Sequence, residues 1–218
     1  MQKGTVQLGF YGAFVAFLAA LGYSIVQMLQ VVGLLKYPLD AILIYGFSLD
    51  IAPSFLLAIL ALHYVAPNDK RIWSHAALLF AVMYTTFVTL MYVVQLSTVI
   101  PGLVQAPADS VVTVVPHSLF WTIDALGYIC MGISTLFAAL VFTEQRSEQW
   151  LRRLLFANGF LTPVIALVYF YPHFSIALLL LGSPWVITTP GSLLLLAFYF
   201  RKLAQESNSK ARHRLIEN

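Results

Sequence analysis

Charge is scarce in this sequence: Asp, Glu, Lys and Arg make up 10% of the 218 residues, against about 25% in an average soluble domain. Hydrophobic residues make up 60% and fall in long blocks. A water-soluble fold could not hide that much apolar surface, so lipid is the expected solvent. Cysteine is nearly absent as well. Cys130 stands alone, which excludes an intrachain disulfide, a CxxC redox pair and a cysteine-based zinc site; among apolar neighbours it reads as a small buried hydrophobe. No GxSxG, P-loop or GxGxxG signature occurs, so the familiar nucleophilic and nucleotide mechanisms have no anchor. No lysine lies inside an apolar block, which rules out a retinal Schiff base. Neither a short internal repeat nor a low-complexity stretch is present.

What is present is a series of six apolar segments, each long enough for a span of about 20 residues. They cover about 8–35, 41–65, 74–100, 116–142, 151–171 and 174–200. The first is too long for a signal-peptide core of roughly 7–15 residues and reads as a retained helix. Pro38 and Pro67 suit helix breaks, and Pro116 suits the first turn of the fourth span. The 101–115 loop carries Pro107 and a β-branched stretch from Val111 to Val115, to which no element type is assigned. The sequence predicts an all-α polytopic membrane protein: a six-helix transmembrane domain over 1–200 and a polar, basic, mobile cytoplasmic tail over 201–218.

The basic residues orient this bundle, because cytoplasmic loops carry the excess of Lys and Arg. One face collects Lys3, Lys70, Arg71, Arg146, Arg152, Arg153, Arg201, Lys202, Lys210, Arg212 and Arg214, 11 of the 12 in the chain, and Lys36 alone falls on the other. Both termini are therefore expected inside. The same topology accounts for the net charge of +3 without invoking nucleic acid as a partner; the bilayer is the partner expected, with a small molecule or ion as ligand. Three spans per half would place the halves in inverted orientation, as in many transporters, although their sequences do not visibly match.

Ionisable groups inside a membrane are costly and mark candidate sites. Asp50 lies about 14 Å into the second span and Asp124 about 12 Å into the fourth, at the 1.5 Å rise of a helix. Both spans enter from outside, so both acids are expected in the outer half. His117, Trp121, Asp124 and Tyr128 repeat at helical spacing on the fourth span, Tyr23, Gln27 and Gln30 on the first, and Thr85, Tyr92 and Gln95 on the third. Asp50 with Ser54 one turn later, and Pro53 freeing a backbone carbonyl between them, completes a predicted pocket of four helices. The plainer reading is that these groups bond one another and fix helix packing. No Lys or Arg lies in the apolar core of a span to pair with either aspartate, so each needs a proton, a cation or several donors.

His63, His75, His117 and His173 flank the spans, without an HExxH or other ligand set that calls for a metal. No motif demands a cofactor, and haem b has no obligatory local motif. Asn158 and Thr162 before Pro163, and Trp185 and Thr188 before Pro190, predict kinks in the last two spans.

Ala125-Leu126-Gly127-Tyr128, Met131 to Ala139, Trp150-Leu151-Arg152-Arg153 and Ala157-Asn158-Gly159 together resemble small multi-pass bacterial inner-membrane proteins of uncharacterised activity, over about a third of the chain. The resemblance implies a bacterial inner membrane and no activity. Three functions compete: a binding or transport protein for a proton, cation or amphipathic molecule; an intramembrane enzyme in which Asp50 or Asp124 acts as general acid on a lipid or isoprenoid while Trp121, Tyr128 and Tyr92 stabilise cationic charge; and a structural or assembly subunit.

Overall fold

The computed structural model describes residues 3–105, 114–146, 148–173 and 175–216. Among them the chain is all-α. Its helices are α1 (Lys3–Val31), α2 (Leu39–Val65), α3 (Arg71–Val94), α4 (Ile100–Gln105), α5 (Leu119–Ala139), α6 (Gln149–Phe160), α7 (Thr162–Phe170), α8 (Ile176–Leu181) and α9 (Trp185–Ile216). A 3₁₀ turn at Asn68–Lys70 leads into α3, and a π-helical stretch at Gln95–Val99 joins α3 to α4. Six helical stretches are long and apolar enough to cross a membrane: Lys3–Val31, Leu39–Val65, Asn68–Gly102, Leu119–Ala139, Gln149–Phe170 and Ala177–Ser207.

These six pack as a closed ring. α1 lies on α2, α2 on α3, α3 on α5, α5 on α6 and α7, α6 on α9, and α9 returns to α1. An even number of passes brings both ends of the chain to one end of the ring, the terminal end. The turns after α1 and α7 and the connection before α5 lie at the other, the loop end.

Small residues permit the close approach. Gly12, Ala16, Ala19 and Ala20 are buried on α1, and a Cβ added at Gly12 would stand 2.9 Å from the Ser54 backbone oxygen and 3.0 Å from the Ala58 nitrogen. α1 and α2 therefore pack nearly backbone to backbone, the geometry that small residues allow between apolar helices. Phe55, Ile59, Leu62, Tyr84, Met91, Met131 and Phe200 fill the interior. The outer surface is apolar all round, with Tyr11, Leu18, Ile25, Ile72, Leu79, Leu90, Phe160 and Ile187 among its exposed side chains. A monomer in water rarely presents so much apolar surface.

Several helix ends differ from the sequence expectation, each for a local reason. α1 stops at Val31, not near 35, because Gly33 takes φ 76°; Leu34 N–H then bonds the Leu29 carbonyl at 2.9 Å and Gly33 N–H the Gln30 carbonyl at 2.9 Å, a Schellman termination. The fourth span starts at Leu119 and not at Pro116. Ser118 caps it, its hydroxyl accepting the Trp121 N–H at 3.1 Å, and Pro116 lies in the turn ahead. The fifth span breaks at Leu161, beside Pro163 as expected. The sixth breaks at 182–184, whereas α9 runs on through Pro190. α9 also continues through the expected mobile tail to Ile216. Pro107 and the stretch from Val111 to Thr113 lie outside the described residues.

Candidate functional site

Asp124 sits five residues into α5, and its neighbours from three helices all lie towards the loop end. It is buried. Tyr92, near the end of α3, donates its hydroxyl to Oδ1 at 2.8 Å. Tyr169, at the end of α7, donates to Oδ2 at 2.7 Å. Each carboxylate oxygen thus has a phenolic donor, which supplies hydrogen bonds where no basic side chain is available. Tyr128, one turn beyond Asp124, brings its hydroxyl within 3.2 Å of that of Tyr92. Since Tyr92 spends its single proton on Asp124, Tyr128 is the donor to Tyr92 in this arrangement.

Tyr169 is held twice over. Trp121 donates its indole N–H to the Tyr169 carbonyl at 2.9 Å, and the two rings lie 4.6 Å apart. Tyr45 of α2 stacks on Tyr92 at 5.1 Å. Trp185, at the start of α9, meets Tyr128 edge-on at 5.5 Å and Tyr23 at 5.2 Å. The break at 182–184 sets this indole at the head of a new helix, pointing it at the tyrosines.

Beside this cluster is a cavity of about 200 Å³. Tyr23, Tyr128, Tyr169 and Trp185 form its aromatic wall, while Met28, Val31, Leu179, Leu180 and Val186 contribute aliphatic surface. Met28, Val31 and Leu180 are also exposed on the outside of the bundle, so the cleft opens sideways between α1 and α8. Tyr169 connects the two parts: its ring faces the cleft and its hydroxyl is bound to Asp124 behind the wall.

From Tyr23 a second polar line leaves the cleft. Tyr23 donates to Gln27 Oε1 at 3.2 Å, Gln27 Nε2 to Gln30 Oε1 at 2.7 Å, and Gln30 Nε2 to Asp40 Oδ2 at 2.8 Å. Asp40 at the start of α2 also accepts the Ala41 N–H at 2.8 Å, a carboxylate at a helix N-terminus.

The structure brings Asp124, Trp121, Tyr128 and Tyr92 into one cluster and puts Gln27 and Gln30 on the adjoining line. Gln95 is buried at the head of the π-helical stretch. Asp50 and Ser54 stand apart. Asp50 is exposed on the outer surface of α2, and Ser54 is half-buried against α1 near Gly12. His117 does not share the α5 stripe: it precedes the Ser118 cap, exposed, with φ 68°. Thr85 donates to the Ala52 carbonyl at 3.1 Å and ties α3 to α2.

Tyr169, Tyr45, Trp185 and Asp40 were not singled out as site residues from the sequence. The excess of tyrosines near predicted loop-end helix termini was the available signal.

A second buried polar group lies between α5, α6 and α9. Asn158 donates to Thr135 at 3.2 Å and accepts from Thr189 at 2.7 Å and Thr188 at 3.1 Å. Gly132 and Gly159 close the helices around it.

At the terminal end, Ser74 donates to the Arg71 carbonyl at 3.0 Å, so its contact with His63 Nδ1 at 3.0 Å is one in which the imidazole donates. The His75 ring is 5.4 Å from that of His63. Among the described residues no three His, Cys, Asp or Glu side chains converge as a metal site. Arg152 bonds Glu144 at 2.7 Å, and that hydrogen bond holds the exposed Glu144 carboxyl below its usual range.

Comparisons with protein families, curated proteins and solved structures found no match.

Proposed function

We propose that the chain is a multi-pass protein of a bacterial inner membrane, both termini cytoplasmic, that takes an amphipathic cation from the bilayer into the cleft beside Asp124. The bias of 11 basic residues to one face supports the orientation. The observation that carries the binding role is Tyr169, which walls the cleft and binds Asp124 at once.

The chemistry follows from the walls. Tyr and Trp rings attract cations through their faces, and cages of such rings recognise quaternary ammonium groups. Asp124 adds negative charge one tyrosine behind the wall. At roughly 8 Å and an effective dielectric of about 20, that charge attracts a cation by about 2 kcal/mol. The aliphatic tail of the ligand lies along Met28, Val31 and Leu180, and its outer part remains in lipid. Sideways access suits a molecule already dissolved in the membrane.

The test is thermal unfolding of the protein in lipid nanodiscs. Dodecyltrimethylammonium raises the melting temperature in a saturable way, and a neutral dodecyl compound of equal length raises it less. Equal responses to the two, or no response to either, defeat the reading.

A further inference from the structure

Asp50 is a second intramembrane carboxylate, and it points the other way. It stands 11 residues past Leu39, about 16 Å along α2 at 1.5 Å per residue, which is mid-depth for a hydrocarbon layer of about 30 Å. Its side chain is exposed and makes no hydrogen bond or ion pair with any described residue. An ionisable group at this depth is costly unless it is paired.

The surrounding face has the shape of a helix seat. Ile42, Pro53, Leu57 and Tyr64 are exposed on the same side of α2. Gly46, one turn before Asp50, leaves a notch: a Cβ added there would meet nothing within 4 Å. Pro53 has no N–H to offer the Leu49 carbonyl four residues earlier. The face therefore presents a carboxylate and a backbone acceptor side by side, and both call for a donor-rich cation.

This chain cannot provide that cation from a second copy of itself. All 12 of its Lys and Arg residues lie outside the apolar cores of the spans, and a copy in the same orientation would set Asp50 against apolar surface or another Asp50. We propose that the Asp50 face of α2 docks a transmembrane helix of a different protein that carries a lysine or arginine at mid-span. Gly46 admits the approach of that helix, and the ammonium or guanidinium group reaches Asp50 and the Leu49 carbonyl.

The experiment uses the full chain, donor-labelled in liposomes, with an acceptor-labelled polyleucine transmembrane peptide bearing one central lysine, and energy transfer as the readout. Against the same peptide with leucine in that position, the lysine peptide associates about tenfold more tightly, in the range of a charge-assisted pair between apolar helices. Asp50→Asn removes the preference, and Gly46→Leu weakens association with both peptides. Each variant is checked for wild-type thermal stability, which a change on the outer surface leaves intact. Equal association of the two peptides overturns the proposal, as does a lysine preference that survives Asp50→Asn. Self-association of the wild type that Asp50→Asn abolishes also overturns it, by assigning the face to a second copy.

Discussion

Asp124 and Asn158 are both buried polar side chains of the same helical ring, and both hold three helices together, yet their surroundings differ. Asn158 uses its oxygen for Thr188 and Thr189 and its amide nitrogen for Thr135. Gly132 and Gly159 close the helices around it, with backbone atoms of the neighbouring helix about 3 Å from where a Gly159 side chain would begin. The Asp124 oxygens are equally well supplied by Tyr92 and Tyr169, but those tyrosines stand between the carboxylate and an open cleft. Hydrogen bonds alone therefore do not mark a site in an apolar bundle. What sets the Asp124 group apart is the aromatic-walled cleft beside it, with a carboxyl group behind the wall. The proposed function gives the Asn158 group a packing role and the Asp124 group the binding role, and substitutions test that division.

Gly159→Leu is expected to have the largest effect. Its new side chain would begin 3.0 Å from the Leu136 Cα and 3.1 Å from the Gly132 oxygen, backbone atoms that cannot step aside, so a stability loss of about 3 kcal/mol is expected in denaturant titration. Asp124→Asn should instead leave melting near wild type and weaken dodecyltrimethylammonium binding about tenfold, or about 1.4 kcal/mol, in equilibrium titration. Asn158→Leu should destabilise by about 1 kcal/mol, because the threonines can turn back to their own helix carbonyls, with ligand affinity unchanged. A large loss of affinity there would collapse the distinction between the two clusters. Tyr169→Phe keeps the ring and loses the donor, for which about a threefold weakening of the cation is expected, the low end for one hydrogen bond.

The smallest effect is assigned to the terminal end. Arg152 holds the Glu144 carboxyl below its usual range, so what the pair contributes is present at neutral pH and is lost as pH falls through that depressed value. Both groups reach solvent, where such pairs contribute little. Glu144→Gln should leave melting and its pH dependence unchanged within error.

The six helical stretches were legible because hydropathy over some 20 residues is a long signal that local detail cannot erase. Helix ends were less so. Gly33 and Ser118 each end or begin a helix through one residue's conformation or hydroxyl, against an apolar pattern that runs on past them. His117 fell into the predicted stripe for that reason: spacing of four counts as helical only if the helix has already started. Depth along a helix was also readable by counting, but the facing of a side chain was not. Asp50 and Asp124 were expected to share a pocket, and it is the packing of α2 between α1 and α3 that turns Asp50 outward. Tyr169 is not legible as a site residue, since its place beside Asp124 depends on how α7 lies against α5 after the break at Leu161, and that packing is not a property of the sequence around Tyr169.

The most direct test of the central claim is equilibrium binding of dodecyltrimethylammonium and of its uncharged isostere, with carbon in place of nitrogen, to wild type, Asp124→Asn and Asp50→Asn in nanodiscs. Aromatic walls backed by Asp124 predict that the wild type prefers the cation about tenfold, a difference of about 1.4 kcal/mol, that Asp124→Asn loses most of that preference, and that Asp50→Asn keeps it. A preference that survives Asp124→Asn, or one that Asp50→Asn removes, would contradict the assignment of the cleft.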